Sequence, residues 1–333
     1  MLRQLEAFEI NQVLGENFSI WSPGLDRSRY RHYQWWQMST VWGRRHLKYF
    51  GHFAQNNERC VASCKRYTFE YSSRGRVFKV AGIGAVYVSE RNRGKSYGLA
   101  MLEEMAELCR REGYDAIVLN SDIDPAYYER LGYHVFDASA FTIKISDEWL
   151  QQSIKVLDAR SDKNKDESFA IRSVSDGDFS EMIKHHRRWL SAREYGLVRT
   201  EDYWRYKLGR ELYLYRHSRL SWPKLDIMTD NFPEFSGGYA LFEQAGGFLR
   251  VLEVIGNDAV RTSLWGQILR LAKRRKISTL RGWSVMTPPL KNVGFYNRDW
   301  SFPMILPLKE EYADEMIGWT QMEPPNMLEL DHF

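Results

Sequence analysis

The sequence has few cysteines, no long apolar run and no block of basic residues. Cys60, Cys64 and Cys109 are the three cysteines among 333 residues. They are too sparse for a disulfide framework, which indicates a reducing compartment. No apolar run approaches the roughly 18 residues that a transmembrane helix needs. The N-terminal residues, MLRQLEAFEINQV, lack the apolar core of a secretory signal. These absences together predict a cytoplasmic protein.

The charge of the chain excludes further classes of function. Its 47 Lys and Arg residues nearly balance 43 Asp and Glu residues, for a net charge of +4. Without a basic block, neither nucleic acid nor a membrane is an expected partner. Cys60 and Cys64 lack a second Cys or His pair at zinc spacing, so no metal site is expected. The length is typical of about two domains, and the oligomeric state is left open.

The apolar pattern predicts two α/β units joined by a linker. The first unit, residues 1–155, has predicted elements in this order: a helix over 28–49, strands between 61 and 88 with a turn at SSRG, a helix over 98–112 and a strand over 115–119. The charged stretch 156–168 predicts a linker. The second unit, residues 169–333, repeats the order strand, helix, hairpin, helix, strand, which predicts two diverged copies of one fold in tandem.

The most informative segment is VYVSERNRGKSYGLAM, residues 86–101, where a strand is followed by a loop and an amphipathic helix. Small residues in such a loop let the backbone approach a ligand closely. The unpaired N–H groups of the first helical turn lie at the positive end of the helix dipole. Arg93 and Lys95 add positive charge. The segment therefore predicts a phosphate-binding loop.

Three other motifs are alternatives for this loop. The GxxxxGK[ST] pattern of nucleotide P-loops is not matched, and the glycine spacing does not fit the GxGxxG of dinucleotide-binding folds. Residues 94–98, GKSYG, do match the GxSxG nucleophile elbow of α/β hydrolases. That elbow needs its serine directly after the strand, whereas residues 91–95 intervene here and three of them are basic. A pyrophosphate loop is the favoured interpretation.

Two motifs resemble the GCN5-related N-acetyltransferase family. The family pattern [Q/R]-x-x-G-x-[G/A] is matched by Arg93, by Ser96 in place of the usual glycine, and by Gly98. The segment PAYYERLGY, residues 125–133, resembles the family's PAYYxRFGF. The resemblance covers residues 59–137. It implies an α/β (α+β) fold in which each unit has a mixed, mostly antiparallel sheet flanked by helices.

The same resemblance implies a cosubstrate and its contacts. Acetyl-CoA would lie between the two central strands, and a free amine would attack its thioester. The strand backbone that would pair with the pantetheine arm belongs to Val86, Tyr87 and Val88. The pyrophosphate would be held by Arg93, Gly94, Lys95, Ser96, Tyr97, Gly98 and Leu99.

The resemblance also suggests residues for proton transfer. Tyr128 would be the general acid that protonates the leaving thiolate, and the alternative is an ordinary core tyrosine. Glu90 is a candidate base, although an exposed loop glutamate fits the position as well. Asn120, just past the second central strand, could bond the cofactor or the substrate.

The second unit lacks the phosphate loop. Gly256, Asn257 and Asp258 stand where it should be, and Asp258 would oppose an anion. We interpret this unit as a degenerate copy that supports the first and walls the substrate site. The tandem layout resembles the enhanced-intracellular-survival acetyltransferases, which carry a further C-terminal domain. The sequence thus predicts an acetyl-CoA-dependent N-acetyltransferase acting on a small-molecule or protein amine. A non-catalytic CoA-binding sensor or scaffold is the alternative.

Overall fold

The computed structural model describes residues 1–54, 59–160, 169–230, 237–291, 293–298, 301–322 and 331. These residues form two β-sheets flanked by helices, each sheet mixed and mostly antiparallel. This architecture confirms the predicted fold class. Among the described residues, no helix combines the length and the apolar character needed to cross a bilayer.

The helices and strands described in the first half of the chain extend to residue 144. The helices are α1 (Ala7–Glu16), α2 (Phe18–Trp21), α3 (Arg27–Ser39), α4 (Val41–His46), α5 (Tyr97–Arg111) and α6 (Ala126–Glu129). The strands are β1 (Leu2–Gln4), β2 (Leu47–Phe53), β3 (Cys60–Ser73), β4 (Arg76–Val88), β5 (Ala116–Ser121), β6 (His134–Val135) and β7 (Ser139–Lys144). A short 3₁₀ turn, Glu90–Asn92, lies between β4 and α5.

The second half has the same kinds of element. Its helices are α7 (Asp147–Arg160), α8 (Phe179–Ser191), α9 (Glu201–His217), α10 (Asp258–Arg274) and α11 (Ala313–Thr320). Its strands are β8 (Phe169–Ser173), β9 (Tyr195–Leu197), β10 (Leu225–Asp230), β11 (Tyr239–Ala245), β12 (Phe248–Ile255), β13 (Thr279–Trp283), β14 (Phe295–Asn297) and β15 (Phe302–Pro307).

The two sheets exchange strands. The first has the order β1-β2-β3-β4-β5-β15-β6, with β9 paired to the far end of β3, and the second has the order β14-β7-β13-β12-β11-β10-β8. Strand β15, from the second half, therefore lies between β5 and β6 of the first sheet. Strand β7, from the first half, lies between β13 and β14 of the second. Each sheet is completed by a strand from the other half of the chain.

Local sequence explains the elements nearest the site. The predicted SSRG turn joins β3 to β4, and Arg74 and Gly75 there have φ of 48° and 81°, as a tight hairpin turn requires. Helix α5 buries Met101, Met105 and Cys109 against the first sheet. It ends before Gly113, whose φ of 75° fits the predicted terminating glycine. The strand–loop–helix order of the informative segment is confirmed.

Two predicted segments differ from the structure. The single helix over 28–49 is wrong, because the chain extends at Thr40, which caps α4 by accepting the Gly43 N–H at 2.9 Å. Strand β2 then begins at Leu47, since pairing with β3 overrides local helical periodicity. Helix α7 continues to Arg160, into the predicted linker, because Leu157 is buried in the core of the second half. The remaining linker residues, 161–168, lie outside the described residues.

Candidate active site

The two central strands of the first sheet diverge at the predicted cofactor position. Strands β4 and β5 pair in parallel from Val80 with Ala116 to Ile83 with Leu119. Beyond Ile83, β4 continues to Val88 without β5 beside it. An irregularity in the pairing with β3, where Ala85 has a φ of 50°, bends β4 at this point. The sheet therefore opens between its central strands.

The N-terminus of α5 lies beside this opening and is uncapped. Ser96 precedes the helix with a φ of 58°, and its side chain makes no capping hydrogen bond. The N–H of Ala100 donates to the Ser96 carbonyl at 3.0 Å, so the helical ladder begins there. The amides of Tyr97, Gly98 and Leu99 precede that ladder, which leaves them free to donate to an anion.

A side chain at position 98 would require Tyr127 to move. A Cβ at this position would lie 2.6 Å from the Tyr127 hydroxyl and 3.2 Å from Val88 Cγ2. The first turn of α5 is thus held directly against α6 and the end of β4. Gly94, with a φ of 74°, is exposed in the loop. The glycines set the backbone path of the loop that the sequence predicted.

The basic residues of the loop are exposed. Arg93 lies on the wall of the cavity described below, and its Nε donates to the Val88 carbonyl at 3.4 Å. Lys95 is exposed one residue before Ser96. Both cations are close in sequence to the uncapped helix terminus, where positive charge and free amides act together on a phosphate.

Tyr128 lies in α6 and is only 6% exposed. Its ring meets those of Tyr127 and Tyr133 edge to face, with centroid distances of 5.1 and 5.8 Å. Burial raises the pKa of the Tyr128 phenol well above its ordinary value. The phenol therefore stays protonated at neutral pH and remains a proton donor.

Asn120 follows the last residue of β5 that pairs with β4. Its Oδ1 atom is buried and has no hydrogen-bond partner among the described residues. On the other side, Asn120 is opposite Pro303 of β15, which has no N–H to donate. A buried acceptor without a donor is costly, and the N–H of a bound ligand would satisfy it.

A cavity of about 1430 Å³ connects these features. The predicted residues on its wall are Val86, Val88, Arg93, Asn120 and Tyr128. The structure brings these five together.

The other predicted residues lie off that wall. Tyr87 packs on Trp21, with ring centroids 6.1 Å apart, and residues 94–99 form the adjoining loop and helix start. Glu90 is exposed in the 3₁₀ turn and is not part of the wall. The structure therefore does not bring Glu90 to Tyr128.

The cavity also contains a polar cluster that the sequence analysis missed. The Lys65 Nζ donates to Gln34 Oε1 at 2.6 Å, and the Tyr49 hydroxyl donates to the same oxygen at 3.1 Å. Gln37 Nε2 adds a third donor at 3.2 Å. Burial, and then the nearby Arg210, lower the pKa of Lys65 to about 7. The only sequence signal was a lysine within an otherwise apolar and aromatic strand.

The corresponding opening in the second sheet is filled. Strands β12 and β13 pair in parallel only from Phe248 to Val251 on β12. Beyond this, the Val254 N–H donates to Met286 Sδ at 3.0 Å, and Met286 is fully buried. Asn257 caps α10 by accepting the Val260 N–H at 3.0 Å. The second half therefore has neither an open strand edge nor an uncapped helix at this place.

The second half instead contributes to the cavity of the first. Lys207 and Arg210 of α9, Leu252 of β12 and Trp283 of β13 all lie on its wall. The expected wall from the second unit is present. Among the described residues, no cluster of three His, Cys, Asp or Glu side chains could hold a metal ion.

Comparison with known proteins agrees with this geometry. A family model described as an acetyltransferase (GNAT) domain matches residues 18–136, which extends the motif resemblance toward the N-terminus. No curated protein sequence matches the chain.

Solved structures resemble nearly the whole chain. A probable N-acyltransferase of unknown function from Enterococcus faecalis V583 is 15% identical, with a TM-score of 0.65 over 92% of this chain and 72% of its own. A GCN5-related N-acetyltransferase from Anabaena variabilis is 13% identical, with a TM-score of 0.66 over 93% and 73%. Eis1 from Mycobacterium abscessus is 14% identical, with a TM-score of 0.58 over 94% and 74%. At such identities the likeness shows a shared fold across both halves.

Proposed function

We propose that the protein is an N-acetyltransferase that moves an acetyl group from acetyl-CoA to a primary amine, because residues 18–136 match the acetyltransferase (GNAT) domain model. One observation carries the proposal. The uncapped start of α5 adjoins an opening between β4 and β5, and the cavity behind that opening contains Tyr128. This combination suits a diphosphate at one end and a thioester at the other.

The fit of acetyl-CoA rests on groups of this chain. The free amides of residues 97–99, with Arg93 and Lys95, would hold the pyrophosphate. The backbone of residues 86–88 borders the opening and would pair with the pantetheine amides, as an added strand does. The buried Oδ1 of Asn120 would accept an N–H from the cofactor or the acceptor.

In the transfer itself, the amine nitrogen attacks the thioester carbonyl carbon. A C–N bond forms, the C–S bond breaks, the sulfur gains a proton and the nitrogen loses one. We assign the proton donor to Tyr128. Burial favours the protonated form of Tyr128, so the phenol still holds its proton when the thiolate leaves.

We assign the proton acceptor to Lys65. It is opposite Gly84 in the β3–β4 register, at the first residue of β4 beyond the β5 pairing. Because its pKa is lowered to about 7, a large fraction of Lys65 is neutral at physiological pH and can accept the amine proton. Glu90 would reach the reacting nitrogen only through solvent.

Binding and catalysis are tested separately. Acetyl-CoA should raise the melting temperature of the protein, since a ligand of the native state stabilises it. Thiol release from acetyl-CoA over a panel of primary amines then measures turnover. Stabilisation without thiol release for any amine would favour a CoA sensor or scaffold, and no stabilisation at millimolar acetyl-CoA would refute both functions.

The role of Lys65 is tested by its pH profile. Lys65→Arg keeps a cation that does not deprotonate, so we expect turnover to fall and the rise in rate near pH 7 to disappear. Lys48→Arg, at an exposed position on the neighbouring strand β2, is the matched control. An unchanged profile in Lys65→Arg would exclude Lys65 as the base.

A further inference from the structure

The cavity extends beyond the position proposed for the thioester. It reaches the face of the first sheet that lies opposite to α5. On β3, Cys64 packs with Met101 and Met105 of α5, while the adjacent Lys65 reaches Gln34 of α3. Neighbouring residues of a strand point to opposite faces. The part of the cavity lined by α3 and α9 is therefore separated by the sheet from the helix start that suits the pyrophosphate.

The wall of the whole cavity has more basic than acidic side chains. The cationic side chains on the cavity wall are Lys65, Arg93, Lys207, Arg210, Arg250 and Arg281. The acidic ones are Asp122, Glu211 and Glu243. Glu243 is already paired with Arg250 at 3.3 Å, and Glu211 accepts a hydrogen bond from Trp222 Nε1 at 3.3 Å. Phosphates held by Arg93 would leave the excess near α9 unchanged.

Arg210 is the centre of this excess. Its Nε donates to the Tyr33 hydroxyl at 3.3 Å, but its Nη1 is buried and has no hydrogen-bond partner among the described residues. A buried guanidinium N–H without an acceptor is costly, so such groups normally meet a carboxylate or phosphate. Arg210 is also a residue of the cavity wall, so its side chain borders the space that a ligand would occupy.

Lys207 lies one helical turn before Arg210 and shares the wall. Burial and then Arg210 lower the pKa of Lys207 to about 7, and they outweigh the raising effects of Glu211 and Asp331. Burial is thus the main cause of the lowered pKa, and the charge of Arg210 on the same helix face adds to it. An anion bound between Lys207 and Arg210 would stabilise both charges.

We propose that Arg210 and Lys207 form an anion subsite that binds a carboxylate of the acceptor, so that the substrates are amines that also carry a carboxylate. The proposal rests on the proposed acetyl transfer. Arg210 offers a planar guanidinium suited to two carboxylate oxygens, and Lys207 adds a second donor. With the carboxylate held at α9, the amine end of the acceptor would face Lys65 and Tyr128.

The test compares acids with amides of the same size. Thiol release from acetyl-CoA is measured with L-phenylalanine, L-leucine and L-glutamate, each beside its C-terminal amide. We expect kcat/KM to favour the acids by about 10-fold or more, the usual effect of one charge-assisted hydrogen bond. Equal rates for acids and amides would overturn the subsite and leave acetyl transfer intact.

Variants locate the effect. Arg210→Gln should lower kcat/KM for the acids by about 10- to 100-fold, mainly through KM, while the amides change little. Arg205→Gln is the control, since Arg205 lies on the exposed face of α9 and is paired with Glu201. An equal loss for acids and amides, or weaker acetyl-CoA binding in Arg210→Gln, would contradict the assignment. If Arg210→Gln does not fold, Lys207→Met gives the same comparison.

Binding gives a readout that does not need turnover. The melting temperature of the wild-type protein is measured with each acid and each amide, with and without acetyl-CoA. Stabilisation by acids over amides supports the subsite even if acetyl-CoA itself fails to bind, a result that would refute only the proposed function. If no acid exceeds its amide in either binding or turnover, the subsite proposal is wrong.

Discussion

Replacing Lys65 by Met should change stability in a way that reports directly on the buried ammonium. The pKa of Lys65 falls from 10.5 to about 7 on folding, chiefly through burial. Since each pKa unit corresponds to about 1.36 kcal/mol, the folded state loses on the order of 4–5 kcal/mol at and below about pH 7. Lys65→Met removes this cost at neutral pH, together with the hydrogen bond to Gln34.

The sign of the pH dependence follows from the lowered pKa. Between about pH 7 and 10.5 the unfolded lysine holds its proton and the folded one has lost it, so stability rises with pH. From pH 7.5 to 8.5 this single group should add about 1 kcal/mol to the free energy of unfolding. The Met variant should lack that increment, while contributions from all other groups cancel in the difference.

The assay is urea unfolding of wild type, Lys65→Met and the exposed control Lys48→Met at pH 7.0, 7.5, 8.0 and 8.5. Wild type and Lys48→Met both keep Lys65, so we expect their free energies of unfolding to rise with pH together. The free energy of Lys65→Met should rise less steeply, by the slope that corresponds to about one proton per molecule. Parallel curves for all three would refute the lowered pKa and, with it, the role of Lys65 as a base. A variant that is more stable but catalytically weaker is typical of a residue kept for function.

Three further predictions address the rest of the site. Tyr128→Phe should lower kcat by about 10²-fold or more with little change in acetyl-CoA affinity, and an unchanged thiol-release rate would exclude it as the acid. Gly98→Ala should weaken acetyl-CoA binding and cost about 1–3 kcal/mol, because the new Cβ meets the Tyr127 hydroxyl at 2.6 Å; equal melting shifts with ligand would contradict this. Arg199→Met should destabilise by about 3–5 kcal/mol, because it leaves Glu253 buried and unpaired, and urea unfolding with an unchanged midpoint would contradict it.

The strand–loop–helix segment could be predicted from sequence because its determinants are local. Loop length, Gly94, Gly98 and the two basic residues lie within one strand–loop–helix unit. The physical requirements on that unit are backbone conformation and free amides, which residue type reports directly. Ser96 supports the same conclusion. Its φ of 58° lies in the left-handed region that favours glycine, the residue that the family pattern has at this position.

The acceptor end could not be predicted, because it is assembled from distant segments. Lys65, Gln34 and Arg210 come from β3, α3 and α9, and no spacing within the sequence relates them. Each looks ordinary where it stands, as a lysine in a strand or an arginine on an amphipathic helix. Only the packing of α9 against α3 turns them into one buried polar cluster. The exchange of strands between the sheets could not be predicted for the same reason, since no local feature of β7 or β15 indicates which sheet the strand joins.

The structure suggests why the second half keeps its fold without the phosphate loop. Met286 and the Asn257 cap occupy the place that corresponds to the open strand and uncapped helix of the first half. Its remaining contributions are physical and specific. Strand β15 completes the first sheet beside β5, and α9 forms the cationic side of the cavity. The half without the loop therefore supports the geometry of the other, and under the proposed function α9 would select which amine reaches the thioester.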